Sequence, residues 1–171
     1  DADVNTYLDG FSLESPFDEP VTMRAILAHQ AGFEDRGRGL FTLELGPSLQ
    51  ETMAKAETHI INPPFEAPSY SNYASALAGL IVANVEGKSF DDVVEERLRT
   101  PLGMTRSTFR GPLPGALADG MSDNPRRVGG QFVDGGYVHI GSYGPAGSLA
   151  ATADDMSRYM RAHLNDGTFG G

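Results

Sequence analysis

Apolar side chains recur along this chain with the spacing of buried helices. The clearest run is Tyr73, Leu77, Leu80, Ile81 and Val85, whose intervening positions are mostly alanine and glycine. A helix apolar on nearly every side belongs in the middle of a core, where its small residues let neighbours approach closely. Phe90, Val93, Val94 and Leu98 form a second stripe, which Pro101 should end. Met156, Tyr159, Met160 and Leu164 form a third, whose Met156, Tyr159 and Met160 are expected to be core, and it closes at Asn165-Asp166-Gly167.

Polar residues mark where helices begin. Ser48, Ser89 and Thr152 each stand three residues before a carboxylate, at Glu51, Asp92 and Asp155. A hydroxyl there accepts an otherwise unpaired N–H, and the carboxylate complements the positive end of the helix dipole. Thr22 is a plainer cap for "MRAILAH", a run whose last residue, His29, suits a helix C-terminus, with Gly32 as the left-handed stop. Glu95-Glu96 and Asp154-Asp155 read as solvated helix faces. Between 111 and 150 helical periodicity disappears. "GGQFVDGGYVHIG" predicts a hairpin that pairs Phe132-Val133 with Tyr137-Val138 around Asp134-Gly135-Gly136. The expected fold is mainly α with a small β hairpin, a single region over 1–171, with long loops at 33–47, 61–69 and 111–150. Long loops on a helical scaffold commonly carry a site.

Composition narrows the chemistry. The net charge is −10 and the only adjacent basic pair is Arg126-Arg127, which argues against a nucleic-acid partner. There is no cysteine, so disulfide and thiolate chemistry are excluded. No apolar run reaches membrane-spanning length. His29, His59, His139 and His163 are scattered without ligand spacing, so no metal is expected, and no phosphate-binding glycine loop points to another cofactor. No Gly-x-Ser-x-Gly nucleophile turn occurs. What remains is Tyr70-Ser71-Asn72, at the mouth of the apolar helix. These side chains either cap that helix end or are aimed by it at a ligand.

Three segments bear on that choice: "VTMRAILAHQAGF" (21–33), "YSNYASALAGLIVANVEGKSFDDVVEERLRTPLGMTRSTF" (70–109) and "PAGSLAATADDMSRYMRAHLNDG" (145–167). In this order and spacing they resemble the serine β-lactamase and penicillin-binding-protein family, nearest to its class C β-lactamases, D,D-peptidases and esterases. The resemblance implies the helical region of an α/β fold whose α/β domain is largely absent from this sequence. It implies a hydrolase in which the serine of a Ser-x-x-Lys motif forms an acyl-enzyme with a small-molecule amide or ester. Tyr70 is then the implied proton shuttle and Asn72 the ligand for the substrate amide, with Gly147 and Ser148 bordering the pocket. A periplasmic or extracellular location is implied as well.

The sequence departs from that pattern where the chemistry is most demanding. Its lysines are Lys55 and Lys88, preceded three residues earlier by Thr52 and Val85, so no Ser-x-x-Lys exists in these 171 residues. Thr52-Met53-Ala54-Lys55 lies in an expected surface helix. His139-Ile140-Gly141 resembles the family's later Lys/His-x-Gly strand but precedes "PAGS", on the wrong side of the family order. Ala31 replaces a favoured serine and Ser148 a favoured glycine. A chain that starts at Asp1 with these departures is expected to be the middle portion of such a hydrolase, inactive alone. A non-catalytic binding module derived from the family is the other reading. On the fragment reading an exposed apolar face is expected, with self-association or reduced stability.

Overall fold

Three helices, α1 (Met23–Leu27), α2 (Leu49–Lys55) and α3 (Asn72–Glu86), make the larger of two cores, and α3 is the one the others cover. The computed structural model describes residues 1–37 and 40–169; Arg38 and Gly39, within the predicted 33–47 loop, and Gly170-Gly171 lie outside the described residues. Val4, Ile26, Phe33, Met53 and Ile60 close on Tyr73, Leu77 and Ile81. The predicted central helix is therefore central, apart from its last turn, where Val85 is exposed. Tight approach is possible because of Gly79. A Cβ there would run into the ring of Pro145, and would also sit 3.2 Å from Phe90. The 3₁₀ turn Gly144–Ala146 is thereby laid directly on α3.

The expected caps are all formed. Thr22 Oγ1 accepts from Ala25 N–H at 3.2 Å. Ser48 and Glu51 make a reciprocal capping box. Ser89 opens α4 (Phe90–Val94) by accepting from Asp92 N–H at 3.1 Å. These succeed as readings because a cap is satisfied within its own four residues.

Pro101 does not stop the second helix. After α4 the backbone widens into a π turn, Glu95–Arg99, where Thr100 N–H reaches the Glu95 carbonyl. It then continues as α5 (Thr100–Leu102) with the proline inside, and Gly103, at φ 65°, ends it. The wider turn accommodates a residue that has no N–H to give.

Strand β1 (Ser107–Thr108) and helix α6 (Gly115–Ala118) lead into the hairpin of β2 (Pro125–Val128) and β3 (Gln131–Asp134). Its register pairs Val128 with Gln131, so the turn is Gly129-Gly130, not Asp134-Gly135-Gly136. A two-residue turn of this kind needs positive φ at successive positions. Gly129 and Gly130 have φ 58° and 87°, whereas only Gly136 of the later pair does. Arg126-Arg127 accordingly lies in β2 and not in a loop, and His139 bridges back to Thr42.

Strand β4 (Ala150–Ala151) pairs with β1 and leads into α7 (Ala153–Leu164), capped by Thr152. Two expectations for α7 are corrected. Asp155 is buried, not solvated: its carboxylate accepts from Arg106 N–H at 2.7 Å and Ser107 Oγ–H at 2.6 Å. The third stripe is only half core. Met156 and Tyr159 meet Leu102, Met104 and Ala162, but Met160 and Leu164 are 59% and 82% exposed. The covering segment is short and takes the 155–159–162 line. The 156–160–164 line rotates about 40° per step away from it.

Magnitudes predict the effect of closing the α3 approach. Replacing glycine inside a helix gains at most about 1 kcal/mol of propensity, and less for a β-branched residue. Overpacking costs about 1–3 kcal/mol. Gly79→Val should lower the urea midpoint with an unchanged slope; an unchanged midpoint would show that Pro145 does not rest on Gly79.

Candidate active site

The mouth of α3 is assembled from three stretches of chain. Residues 65–71 are laced along 29–33: Phe65 N–H reaches the Gln30 carbonyl at 2.8 Å, Ser69 N–H the His29 carbonyl at 2.7 Å, and Ser69 Oγ–H the Phe33 carbonyl at 2.6 Å. His29 takes φ 51°, so the chain leaves α1 at His29 itself, before the predicted stop at Gly32. Gly32 has a different duty, since a Cβ there would collide with the Asn62 carbonyl. His29 is structural, as read from its position: Nδ1 accepts from Ser71 N–H at 3.4 Å, and its ring lies 4.7 Å from that of Tyr70.

At Tyr70-Ser71-Asn72 the capping role falls to the middle residue. Ser71 is the cap, fully buried and accepting from Ala74 N–H at 3.2 Å. Tyr70 and Asn72 are left for other work. Tyr70 is 60% exposed, and its hydroxyl donates to Asn72 Oδ1 at 3.0 Å. Asn72 donates its backbone N–H (3.0 Å) and its Nδ2–H (3.3 Å) to Asp35 Oδ1. Asp35 is the residue that sequence reasoning missed. It lies 37 positions from Asn72, and nothing in "FEDRG" distinguishes it from Glu34.

Two further tyrosines flank this end of α3. Burial pushes the Tyr73 phenol well up, with Tyr143 adding to the effect. Burial also raises Tyr143, and the Asp35 charge raises it further. Both stay protonated phenols at neutral pH. Tyr70 is the one whose hydroxyl is presented to solvent beside a carboxamide. No described lysine hydrogen-bonds it; Lys88 pairs with Glu96. Thr52 is not a substitute nucleophile, because its hydroxyl is buried without a partner and Lys55 is exposed.

Gly147 and Ser148 sit elsewhere. They line an open cavity of about 940 Å³ floored by Leu80, Phe90 and Phe109, with His139 at its wall. Leu80 and Asn84, which also line it, are about 12 and 18 Å along α3 from Asn72 at 1.5 Å per residue. Tyr70 and Asn72 do not line it. One turn joins the two places: Tyr143 lies toward Asp35, and the Gly144–Ser148 stretch faces the cavity.

The beta-lactamase family profile matches residues 1–170. This chain belongs to the beta-lactamase family. It is 30% identical to penicillin-binding protein 4 of Amycolatopsis lactamdurans over 98% of this chain and 44% of that protein. Its fold is similar to an octameric penicillin-binding protein homologue from Pyrococcus abyssi, with TM-score 0.78 and 21% identity, over 98% of this chain and 40% of that one. It is also similar to D-amino acid amidase from Ochrobactrum anthropi SV3, solved with L-phenylalanine amide, with TM-score 0.68 and 21% identity, over 85% of this chain and 43% of that one. The chain therefore spans less than half the length of each of these three proteins. Among the described residues, no helix is long and apolar enough to cross a membrane.

The loop that delivers Asp35 is itself pinned by charge. Glu34 N–H donates to the His59 carbonyl, and Glu34 Oε1 accepts from His59 N–H at 3.0 Å. The hydrogen bonds from His59 and Arg36 hold the Glu34 carboxyl at about 2, below its ordinary 4.5. A depressed carboxylate contributes stability above its unfolded pKa and loses it as pH falls through the folded one. The contribution should be complete above about pH 4.5 and vanish as pH falls toward 2. Glu34→Gln should flatten the acid limb of a stability–pH profile in that window; an identical limb would show that Glu34 does not anchor the loop.

Proposed function

We propose that this chain supplies the tyrosine–asparagine wall of a serine hydrolase active site. The nucleophile, a Ser-x-x-Lys serine, would come from sequence outside these 171 residues. The observation that carries the reading is the Tyr70–Asn72 hydrogen bond, held at the buried end of α3 in a member of the beta-lactamase family. Tyr70 is assigned as the proton shuttle. A phenol ordinarily titrates near about 10, so it needs a nearby cation to exchange protons at neutral pH. The Ser-x-x-Lys lysine is the group of the right kind. Asn72 is assigned to the substrate amide; Gly147 and Ser148, which line the separate cavity, are given no contact with the group bound at Tyr70 and Asn72. The amidase of similar fold, solved with an amino-acid amide, supports the amide half of the proposed amide-or-ester substrate class.

On this proposal the chain alone turns over neither nitrocefin nor a p-nitrophenyl ester. In the protein carrying Ser-x-x-Lys, Tyr70→Phe should lower kcat/KM by on the order of 10²–10⁴-fold. Turnover by this chain alone that Tyr70→Phe abolishes would overturn the missing-nucleophile reading. A full-length protein that binds an amide without hydrolysing it would favour the non-catalytic module, which the absence of Ser-x-x-Lys from this sequence leaves as the second reading.

Self-association belongs to the same proposal. Met160 and Leu164 on α7, with Leu27 at the end of α1, expose apolar surface suited to cover by another part of the protein. Sedimentation velocity should show a concentration-dependent coefficient, which Leu164→Glu reduces. A concentration-independent monomer would count against a covered face.

A further inference from the structure

We propose that Asp35 is a positioning residue that fixes which way the Asn72 carboxamide points. The inference deepens the reading of Asn72 as substrate-amide ligand and rests on it. A carboxylate only accepts hydrogen bonds, and Asp35 Oδ1 takes two from Asn72, the backbone N–H at 3.0 Å and Nδ2–H at 3.3 Å. Turned over, the carboxamide would set its own oxygen against that carboxylate oxygen, two acceptors with no proton between them. The ionised acceptor makes this discrimination stronger than a neutral partner would. With Nδ2 committed to Asp35, Oδ1 has to face the other way, where Tyr70 donates to it at 3.0 Å. Asp35 therefore acts through Asn72 on Tyr70. The Tyr70 proton is directed at Asn72, and the phenol oxygen's lone pairs are left for an incoming donor.

Asp35 and Ser71 have separate duties at the start of α3. The helix start is capped by Ser71, which serves a different N–H, that of Ala74. Asp35 serves Asn72 through both its backbone N–H and its side-chain amide, and only the second contact orients the carboxamide. Asp35 is itself exposed, on the loop that follows Phe33, so removing its carboxylate empties no core position.

The test uses the side-chain amide signals of Asn72 in ¹H–¹⁵N correlation spectra of this chain. In the native sequence one Nδ2 proton is bonded to a carboxylate, so the two proton shifts should be widely split. Asp35→Ala should collapse that splitting toward the values of exposed asparagines in the same spectrum. Asp35→Asn should restore most of it, since its carboxamide oxygen can accept the same bonds. Ser71→Ala should lower the melting temperature while leaving the splitting in place. Splitting unchanged in Asp35→Ala, or lost equally in Ser71→Ala, would overturn the proposal. A kinetic arm separates it from the reading it rests on. In the protein carrying Ser-x-x-Lys, Asp35→Ala should raise KM for an acylamino substrate by on the order of tenfold, with kcat changed less and Asp35→Asn restoring it. If that protein hydrolyses nothing while the spectral signature holds, the hydrolase reading falls and the positioning of Asn72 stands. If hydrolysis proceeds and Asp35→Ala changes neither KM nor splitting, the positioning role alone falls.

Discussion

Helix α3 can occupy the centre of this chain only because its sides are alanine and glycine, and the rest of the structure follows from that close approach. Gly79 admits the Pro145 ring, and Ala76 and Leu77 are sealed completely. A buried helix cannot leave its end groups unpaired, since each orphan N–H away from water costs about 1–3 kcal/mol. The acceptor at its buried start is therefore obligatory, Ser71 for Ala74, while Asp35 takes the Asn72 N–H at the exposed rim. The side chains beside those acceptors inherit their rigidity. Tyr70 is exposed, yet it sits between an imidazole anchored by Ser71 N–H and a carboxamide anchored by Asp35.

How much of this can be read from residues alone depends on how far each interaction reaches along the chain. The caps at Thr22, Ser48, Ser89 and Thr152 close within three residues, and all were legible. The same holds for the apolar density of α3. The failures are contacts that depend on a distant partner or on backbone angle. Asp155 is the first-turn dipole partner that "TADD" suggests, but Arg106 and Ser107, at the start of β1, bury it. The hairpin offered two glycine pairs, and only φ at both positions separates Gly129-Gly130 from Gly135-Gly136. Met160 and Leu164 satisfy helical periodicity, but periodicity does not say whether anything covers the stripe.

The candidate site divides the same way. Tyr70 and Asn72 stood out as a pair because they lie two residues apart at a helix mouth, and the hydrogen bond between them is local. Asp35 was invisible because its role is made by folding alone. Gly147 and Ser148 were grouped with the tyrosine by segment order, and the structure puts them on the cavity side of the turn that carries Tyr143. Segment order fixes which turn they belong to. It does not fix which side of that turn they face.

That turn ties the packing of α3 to the electrostatics at its start. Pro145 is seated on Gly79, and Tyr143, two residues earlier, is thereby brought under the influence of Asp35 and against Tyr73. Burial and the Asp35 charge act on Tyr143 in one direction, both disfavouring a phenolate. The carboxylate that accepts from Asn72 thus also helps keep a neighbouring phenol neutral. Three tyrosines crowd one helix end, and the same fold that holds two of them protonated leaves the third facing solvent. On the proposed proton-shuttle role of Tyr70, it is the phenol of the three that faces solvent, while burial disfavours the phenolate at both neighbours and the Asp35 charge adds to that at Tyr143.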